Sequence, residues 1–161
     1  MTSDTGARDL SKRGLIKKCP IDTKTAKNLM HRASLDLQTA ARNLDQDPEC
    51  TFTYSYTAMM RSGLALMLSQ GFRPAMAKKH QTIVAFVENS LGTVLEDTAG
   101  SFDVLRRKRN QFIYEPDLPC SRKEAEEALK TARDFVDVLS QIINKERGQP
   151  ELEFTQSKHK K

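Results

Sequence analysis

The sequence lacks the features that mark membrane and secreted proteins. It has no tryptophan, and no apolar run approaches the roughly 20 residues that a membrane-spanning helix needs. The first residues are charged but lack the apolar segment of a secretory signal. Cys19, Cys50 and Cys120 are odd in number and widely spaced, which argues against a disulfide framework and a zinc knuckle. We therefore expect a protein of the reducing cytoplasm with no membrane partner.

Motifs that hold common cofactors and metals are also missing. The sequence contains no glycine-rich phosphate loop, no nucleophile elbow and no His–Glu or Cys–Cys pair at a metal-ligand spacing. His31 has no obvious partner, and His159 lies among the lysines at the C-terminus. The sequence thus predicts no cofactor and no metal site. The net charge of +5 favours polyanionic partners, but only weakly.

The 161 residues suit one domain with a single core. Residues 1–20 are polar, basic and aperiodic, and we expect a flexible arm there. Residues 21–147 show apolar positions at steps of three and four, which predicts an all-α, up-down bundle of about five helices. The breaks should fall near residues 43–48, 71–75, 92–100 and 115–121. Residues 148–161 form a polar basic tail.

Capping residues define several of these helix ends. Asp22 is placed to cap the first helix of the bundle, and Asp47 followed by Pro48 should begin the second. Gly71 should end that second helix. Ser121 with Glu124 forms a capping box at the start of the last helix.

The second helix of the bundle carries small and methionine-rich positions. The small residues would allow a neighbouring helix to approach closely, and methionine stripes at helical spacing seldom indicate a cofactor site. We expect the larger side chains to lie in the core or in a subunit interface. The positions are Tyr54, Tyr56, Ala58, Met59, Met60, Ser62, Gly63, Ala65 and Met67.

The most distinctive stretch is 106–116, which begins with four cations in a row. Such a run is often only a solvated helix face. Arg109, however, falls four residues from Leu105 and from Ile113, on an apolar stripe. An arginine there loses water and needs a partner, either a carboxylate or a bound anion. Candidate carboxylates are Asp97, Asp103, Glu115 or one from elsewhere in the chain.

The end of this helix predicts a pocket. Pro116 disfavours helix at the residue before it, so the helix should stop near Tyr114. If it ends between Arg109 and Tyr114, the two side chains can converge. Arginine forks suit phosphate oxygens, asparagine can bond a base edge, and tyrosine can stack on a base. We therefore predict ligand binding by Arg106, Arg109, Asn110 and Tyr114.

His80 permits two interpretations. A lone histidine on an apolar face is usually a hydrogen-bonded core residue. It could instead supply the proton acceptor for chemistry at a nearby site. The sequence leaves both open.

Arg109 and Asn110, followed after three intervening residues by Tyr114, resemble the HEPN signature (higher eukaryotes and prokaryotes nucleotide-binding). That signature is Arg, four to six residues, then His, with Asn often following the Arg. The second helix with its Gly-aromatic ending, residues 80–86 of the helix that follows it and the capped last helix fit the same family. The resemblance covers most of residues 23–145.

The resemblance implies a helical bundle that commonly dimerises, and either a metal-independent ribonuclease, often a toxin or defence effector, or a non-catalytic nucleotide-binding module. Arg109 matches the family's catalytic arginine, and Tyr114 stands where the catalytic histidine is expected. Histidine titrates near neutrality, whereas tyrosine ordinarily titrates near pH 10 and is rarely a base at neutral pH.

Three functions therefore remain open. The first is a dimeric protein that binds RNA or a nucleotide, in a toxin–antitoxin or defence system. The second is a metal-independent ribonuclease in which Arg109 and Tyr114 are catalytic positions and another group is the base. The third is a non-catalytic interaction bundle with a cognate partner protein, in which Arg109 only completes a buried ion pair.

Overall fold

The computed structural model describes residues 4–91 and 96–146 and confirms the all-α class. The described residues form six helices and one two-stranded sheet. In chain order these are α1 (Asp4–Lys12), β1 (Ile16–Lys18), α2 (Thr23–Asn43), α3 (Pro48–Ser69), β2 (Phe72–Pro74), α4 (Lys79–Leu91), α5 (Glu96–Tyr114) and α6 (Arg122–Glu146). No helix within these ranges is both long and apolar enough to cross a membrane. The predicted tail, residues 148–161, lies outside the described residues.

The predicted caps are present. Asp22 accepts a hydrogen bond from the backbone N–H of Thr25 at 2.9 Å, which satisfies a free donor at the start of α2. Asp47 does the same for Cys50 at 3.0 Å, with Pro48 at the first position of α3. These side chains begin the helices where the sequence predicted, because each removes an unpaired backbone group.

The N-terminal segment differs from the flexible arm that the sequence predicted. Within residues 4–20 the chain forms α1 and β1, and Leu10 and Ile16 are buried because they have apolar surface to remove from water. Strand β1 pairs antiparallel with β2, Ile16 opposite Pro74. Gly71, with φ of 82°, ends α3 and turns the chain into β2. Its carbonyl accepts a hydrogen bond from Cys19 N–H at 2.9 Å.

Helix α3 runs through the centre and packs against α2, α4, α5 and α6. Aromatic contacts join it to the later helices: Phe52 meets Phe112 edge-on with ring centroids 5.0 Å apart. The ring centroids of Phe102 in α5 and Phe135 in α6 are also 5.0 Å apart. These contacts place one face of α5 in the core, against α3 and α6.

The small and methionine-rich positions of α3 belong to the core of the protomer. Met59 and Met67 are fully buried, and Met60 is nearly so. Gly63 allows α4 to approach, because an added Cβ would lie only 2.6 Å from Ile83 Cγ2. Apart from Tyr54, which is 38% exposed, these positions lie in the core of the protomer, and the buried ones give no support to a dimer.

Helix α5 begins earlier than predicted and ends where predicted. It begins at Glu96, so Gly100 lies inside the helix, while residues 92–95 of the predicted break lie outside the described residues. It ends at Tyr114, as Pro116 predicted. Because the helix continues through both Arg109 and Tyr114, the two side chains leave its axis about 140° apart.

Candidate functional site

Three of the four consecutive cations are paired with carboxylates. Arg106 contacts Asp103 at 2.9 Å, and Arg107 contacts the other oxygen of the same carboxylate at 2.9 Å. Lys108 lies 3.7 Å from Glu124 of α6. Arg107 is exposed, whereas Arg106 is mostly buried. The solvated-face interpretation therefore holds for Arg107, and these pairs account for the helix surface rather than for a ligand site.

Arg109 is the exception. Its guanidinium carbon lies over the Tyr56 ring, 5.3 Å from the centroid, within the range of a cation–π contact. Its Nε is buried and has no hydrogen-bond partner. No carboxylate of the described residues pairs with Arg109, and Asp103 is already shared by Arg106 and Arg107. The buried ion pair that would explain Arg109 structurally is therefore not found among the described side chains.

Tyr56 connects Arg109 to a third residue. Its hydroxyl oxygen and His80 Nδ1 are joined by a hydrogen bond of 2.9 Å. Tyr56 is 1% exposed, and burial raises the pKa of its hydroxyl to about 12. The group is thus a neutral phenol at physiological pH. One tyrosine therefore carries the guanidinium on its ring and the imidazole on its hydroxyl.

His80 stands in the first turn of α4 and is exposed as a whole residue, although its Nδ1 edge is covered by Tyr56. Partial burial of the ring removes water from it and lowers the pKa of His80. The positive charges of Arg109, Lys79 and Arg106 lower this pKa further. The imidazole is therefore neutral near pH 7. The interpretation as a core histidine is not supported, because the ring faces solvent beside Arg109.

The structure does not bring all four predicted ligand residues together. Arg106 and Arg109 lie on the side of α5 that meets α3 and α4, since both act on Tyr56 and His80. Asn110 is exposed, and Tyr114 is 79% exposed. Tyr114 does not fold back beside Arg109 of its own chain, because α5 does not end between them.

Sequence reasoning missed the role of Tyr56, which it assigned to the core or an interface. Tyr56 and His80 are 24 positions apart, so no spacing rule joins them. The sequence offered one weak indication of this contact: His80 near the start of a helix, and the cationic residues 106–109 in the next helix. We refer to Tyr56, His80, Arg106 and Arg109 as the Arg109 cluster.

The chemistry of the Arg109 cluster suits an anion. Arg109 is only half-buried and has no carboxylate partner among the described residues, while Arg106 beside it is paired with Asp103 and the imidazole of His80 is neutral. A phosphate oxygen bound to the guanidinium of Arg109 would offset the mutual repulsion of the cations. Within residues 4–91 and 96–146, no group of three His, Cys, Asp or Glu side chains is arranged to hold a metal ion.

Comparison with known proteins identifies the family of the chain. No curated protein and no solved structure matches the chain significantly. The family model described as the HEPN domain matches residues 26–143, a range that contains the whole Arg109 cluster. Because this match covers well over half of the chain, the protein belongs to the HEPN domain family.

Proposed function

We propose that this protein binds RNA or a nucleotide by a phosphate group held on Arg109. The observation that carries the proposal is the Arg109 Nε–H, which is buried and unpaired while every neighbouring cation of α5 has a carboxylate. Leaving a charged donor buried without a partner costs about 1–3 kcal/mol or more. The Arg109 side chain as a whole is only half-buried, so a ligand oxygen can reach its guanidinium and give this charge a partner.

The surroundings favour a nucleic acid ligand over a small carboxylate. Asn110 is exposed one residue after Arg109 and can reach a base or ribose edge. Tyr114 exposes an aromatic ring on which a base can stack, and in the homodimer proposed below this ring would serve the partner's site. Membership of the HEPN family supports the same ligand class, and it alone supports a place in a toxin–antitoxin or defence system.

The test is binding of a fluorescein-labelled oligoribonucleotide, followed by fluorescence anisotropy over a series of salt concentrations. We expect affinity to fall steeply with salt, because phosphate neutralisation releases counterions. Arg109→Ala should weaken binding about 10- to 100-fold, since a charge-assisted hydrogen bond is worth about 1.5–3 kcal/mol. Arg109→Lys should recover only part of the loss, because lysine keeps the charge but not the fork.

Arg107→Ala is the matched control. It removes the same charge two positions away on the same helix, but from an exposed side chain that already has a carboxylate. We expect it to change affinity less than about threefold, as exposed pairs contribute little. Equal effects of the two substitutions, or no salt-sensitive binding at all, would leave the plain interaction bundle as the better account.

The proposal includes a homodimer with the two clusters close to the two-fold axis. Its support is family membership together with the exposed end of α5, where Ile113 is 52% and Tyr114 79% exposed. In that arrangement Tyr114 of one protomer serves the partner's site rather than its own.

We expect multi-angle light scattering at micromolar concentration to give twice the mass of the chain. The substitution Ile113→Asp should convert the dimer to monomer, because it places a charge on a surface that the partner would cover. A monomer mass for the unsubstituted protein rules out the shared cleft.

A further inference from the structure

The geometry assigns a catalytic role to His80. We propose that His80, held by the Tyr56 hydroxyl, is the proton acceptor when a ribose 2′-hydroxyl attacks an RNA phosphodiester bound on Arg109. The inference rests on the proposed function, because it needs the phosphate on Arg109. It moves the base from the position of Tyr114 on α5 to a residue of α4.

The first support is position. His80 and Arg109 contact the same side chain, Tyr56, one through its hydroxyl and the other through its ring. The positive charge of Arg109 also lowers the pKa of the imidazole, as expected of two groups that flank one tyrosine. His80 also remains open to solvent on the side away from Tyr56. A substrate can therefore reach both groups at once.

The second support is the state of the ring. Partial burial and the surrounding cations lower the pKa of His80, so the ring is neutral near pH 7, as a general base must be. When Nδ1–H donates to the Tyr56 oxygen, Nε2 presents a lone pair to solvent. The buried phenol stays protonated and neutral, so it orients the imidazole without competing for the proton.

The step is a transesterification. The 2′-oxygen gives its proton to His80 Nε2 and forms a bond to phosphorus. The bond from phosphorus to the 5′-oxygen breaks, and the departing oxygen takes the electron pair and a proton from water. Arg109 stabilises the added negative charge on the phosphorane oxygens. The imidazolium then releases its proton to solvent, and the products carry 2′,3′-cyclic phosphate and 5′-hydroxyl ends.

Tyr114 does not provide this function within the same protomer. It is 79% exposed and projects from α5 about 140° away from Arg109. Tyr56 is also unsuited, because its pKa of about 12 leaves almost no phenolate at neutral pH. Asp103 contacts the cluster through Arg106, but its two oxygens are held by Arg106 and Arg107. Within the Arg109 cluster itself, His80 is the remaining candidate for the proton acceptor.

The experiment measures cleavage of a labelled oligoribonucleotide in EDTA under single-turnover conditions, with the full chain. We expect His80→Gln to slow cleavage at least about 100-fold, the range of general base catalysis, while affinity changes only a few-fold. His31→Gln is the matched control, since His31 is exposed on α2 and outside the cluster. It should leave the rate unchanged. A single 2′-deoxy substitution should block cleavage at that nucleotide.

Tyr56→Phe tests the positioning role. It keeps the buried ring but removes the partner of His80 Nδ1, so the imidazolium loses stabilisation. The rate at saturation should fall with KM nearly unchanged, and the acid limb of the pH–rate profile should move to lower pH. A fall in rate with an unmoved profile would show that Tyr56 acts only in packing.

The outcomes separate the two proposals. RNA binding that depends on Arg109 without any cleavage overturns the role of His80 and leaves the proposed function intact. Cleavage that survives in His80→Gln also overturns it, as does cleavage of all-deoxy substrate. If the unsubstituted protein does not bind RNA, the proposed function itself is wrong.

Discussion

Arg61→Met is expected to lower the free energy of unfolding by about 3 kcal/mol, the usual cost of removing one partner of a buried ion pair. Arg61 of α3 donates to both oxygens of Asp36 of α2, at 2.7 and 2.6 Å. The Asp36 side chain is 4% exposed, whereas that of Arg61 is 31% exposed. Removing Arg61 therefore leaves the Asp36 carboxylate buried, without a cation and almost without access to water. Urea denaturation followed by circular dichroism measures the loss.

Two further variants define the cause. Arg122→Met removes an arginine whose ion pair with Asp45 is exposed, and it should cost less than about 1 kcal/mol. The double variant Asp36→Leu, Arg61→Met should recover most of the stability, because a buried pair can be replaced by apolar side chains of similar size. If the double variant were as unstable as Arg61→Met, the loss would come from the arginine's packing and not from the stranded carboxylate.

The destabilisation caused by Arg61→Met is expected to increase as the pH rises from about 4 to neutral. Burial raises the pKa of Asp36 above its ordinary value of 3.8, and Arg61 offsets part of that effect. Without Arg61 the folded-state pKa rises further. Above pH 3.8 the folded state then binds a proton that the unfolded state has lost, so stability falls as pH rises through this window. The difference between Arg61→Met and the unsubstituted protein should be largest near neutral pH and should shrink towards pH 4.

The affinity for RNA is expected to rise as the pH falls, through His80. In the free protein, partial burial lowers the pKa of His80, and the positive charges of Arg109, Lys79 and Arg106 lower it further. A bound phosphate neutralises part of that charge and raises the pKa of His80. Between the free and bound pKa values the complex holds one more proton. Affinity should therefore increase by up to about tenfold per pH unit, as one proton contributes about 1.4 kcal/mol per unit.

Anisotropy titrations across the pH range from neutral to mildly acidic test this expectation. His80→Gln should flatten the dependence, while His31→Gln should preserve it, because His31 lies on α2 outside the Arg109 cluster. Affinity that weakened on acidification, or a slope that survived in His80→Gln, would show that another group takes up the proton.

The local signals of the sequence were sufficient for the helices. Asp22 and Asp47 cap α2 and α3 where they were expected to, and Pro116 follows the end of α5. These features act within a few residues, through backbone groups that each side chain can reach. The fold class followed from the same periodicity, and the family from a short motif read in its helical order.

The sequence also distinguished Arg109 from its neighbours. Its predicted place on an apolar stripe with Leu105 and Ile113 indicated lost water and the need for a partner. The stripe is buried only at Leu105, since Ile113 is 52% exposed. The structure shows that partner missing, with Nε buried and unpaired. The predicted convergence with Tyr114 failed because it depended on a single helix end, and the helix continued through both residues.

The tertiary structure alone decided which groups surround Arg109. The hydrogen bond between Tyr56 and His80 and the stacking of Arg109 on Tyr56 join α3, α4 and α5, whose relative placement no local pattern contains. It also decided that Leu10 and Ile16 pack against the bundle instead of lying in a flexible arm. Helix formation depends on neighbours three and four residues apart, so the sequence determined it. Apolar burial is non-directional, so the identity of each contact depends on how the helices pack together.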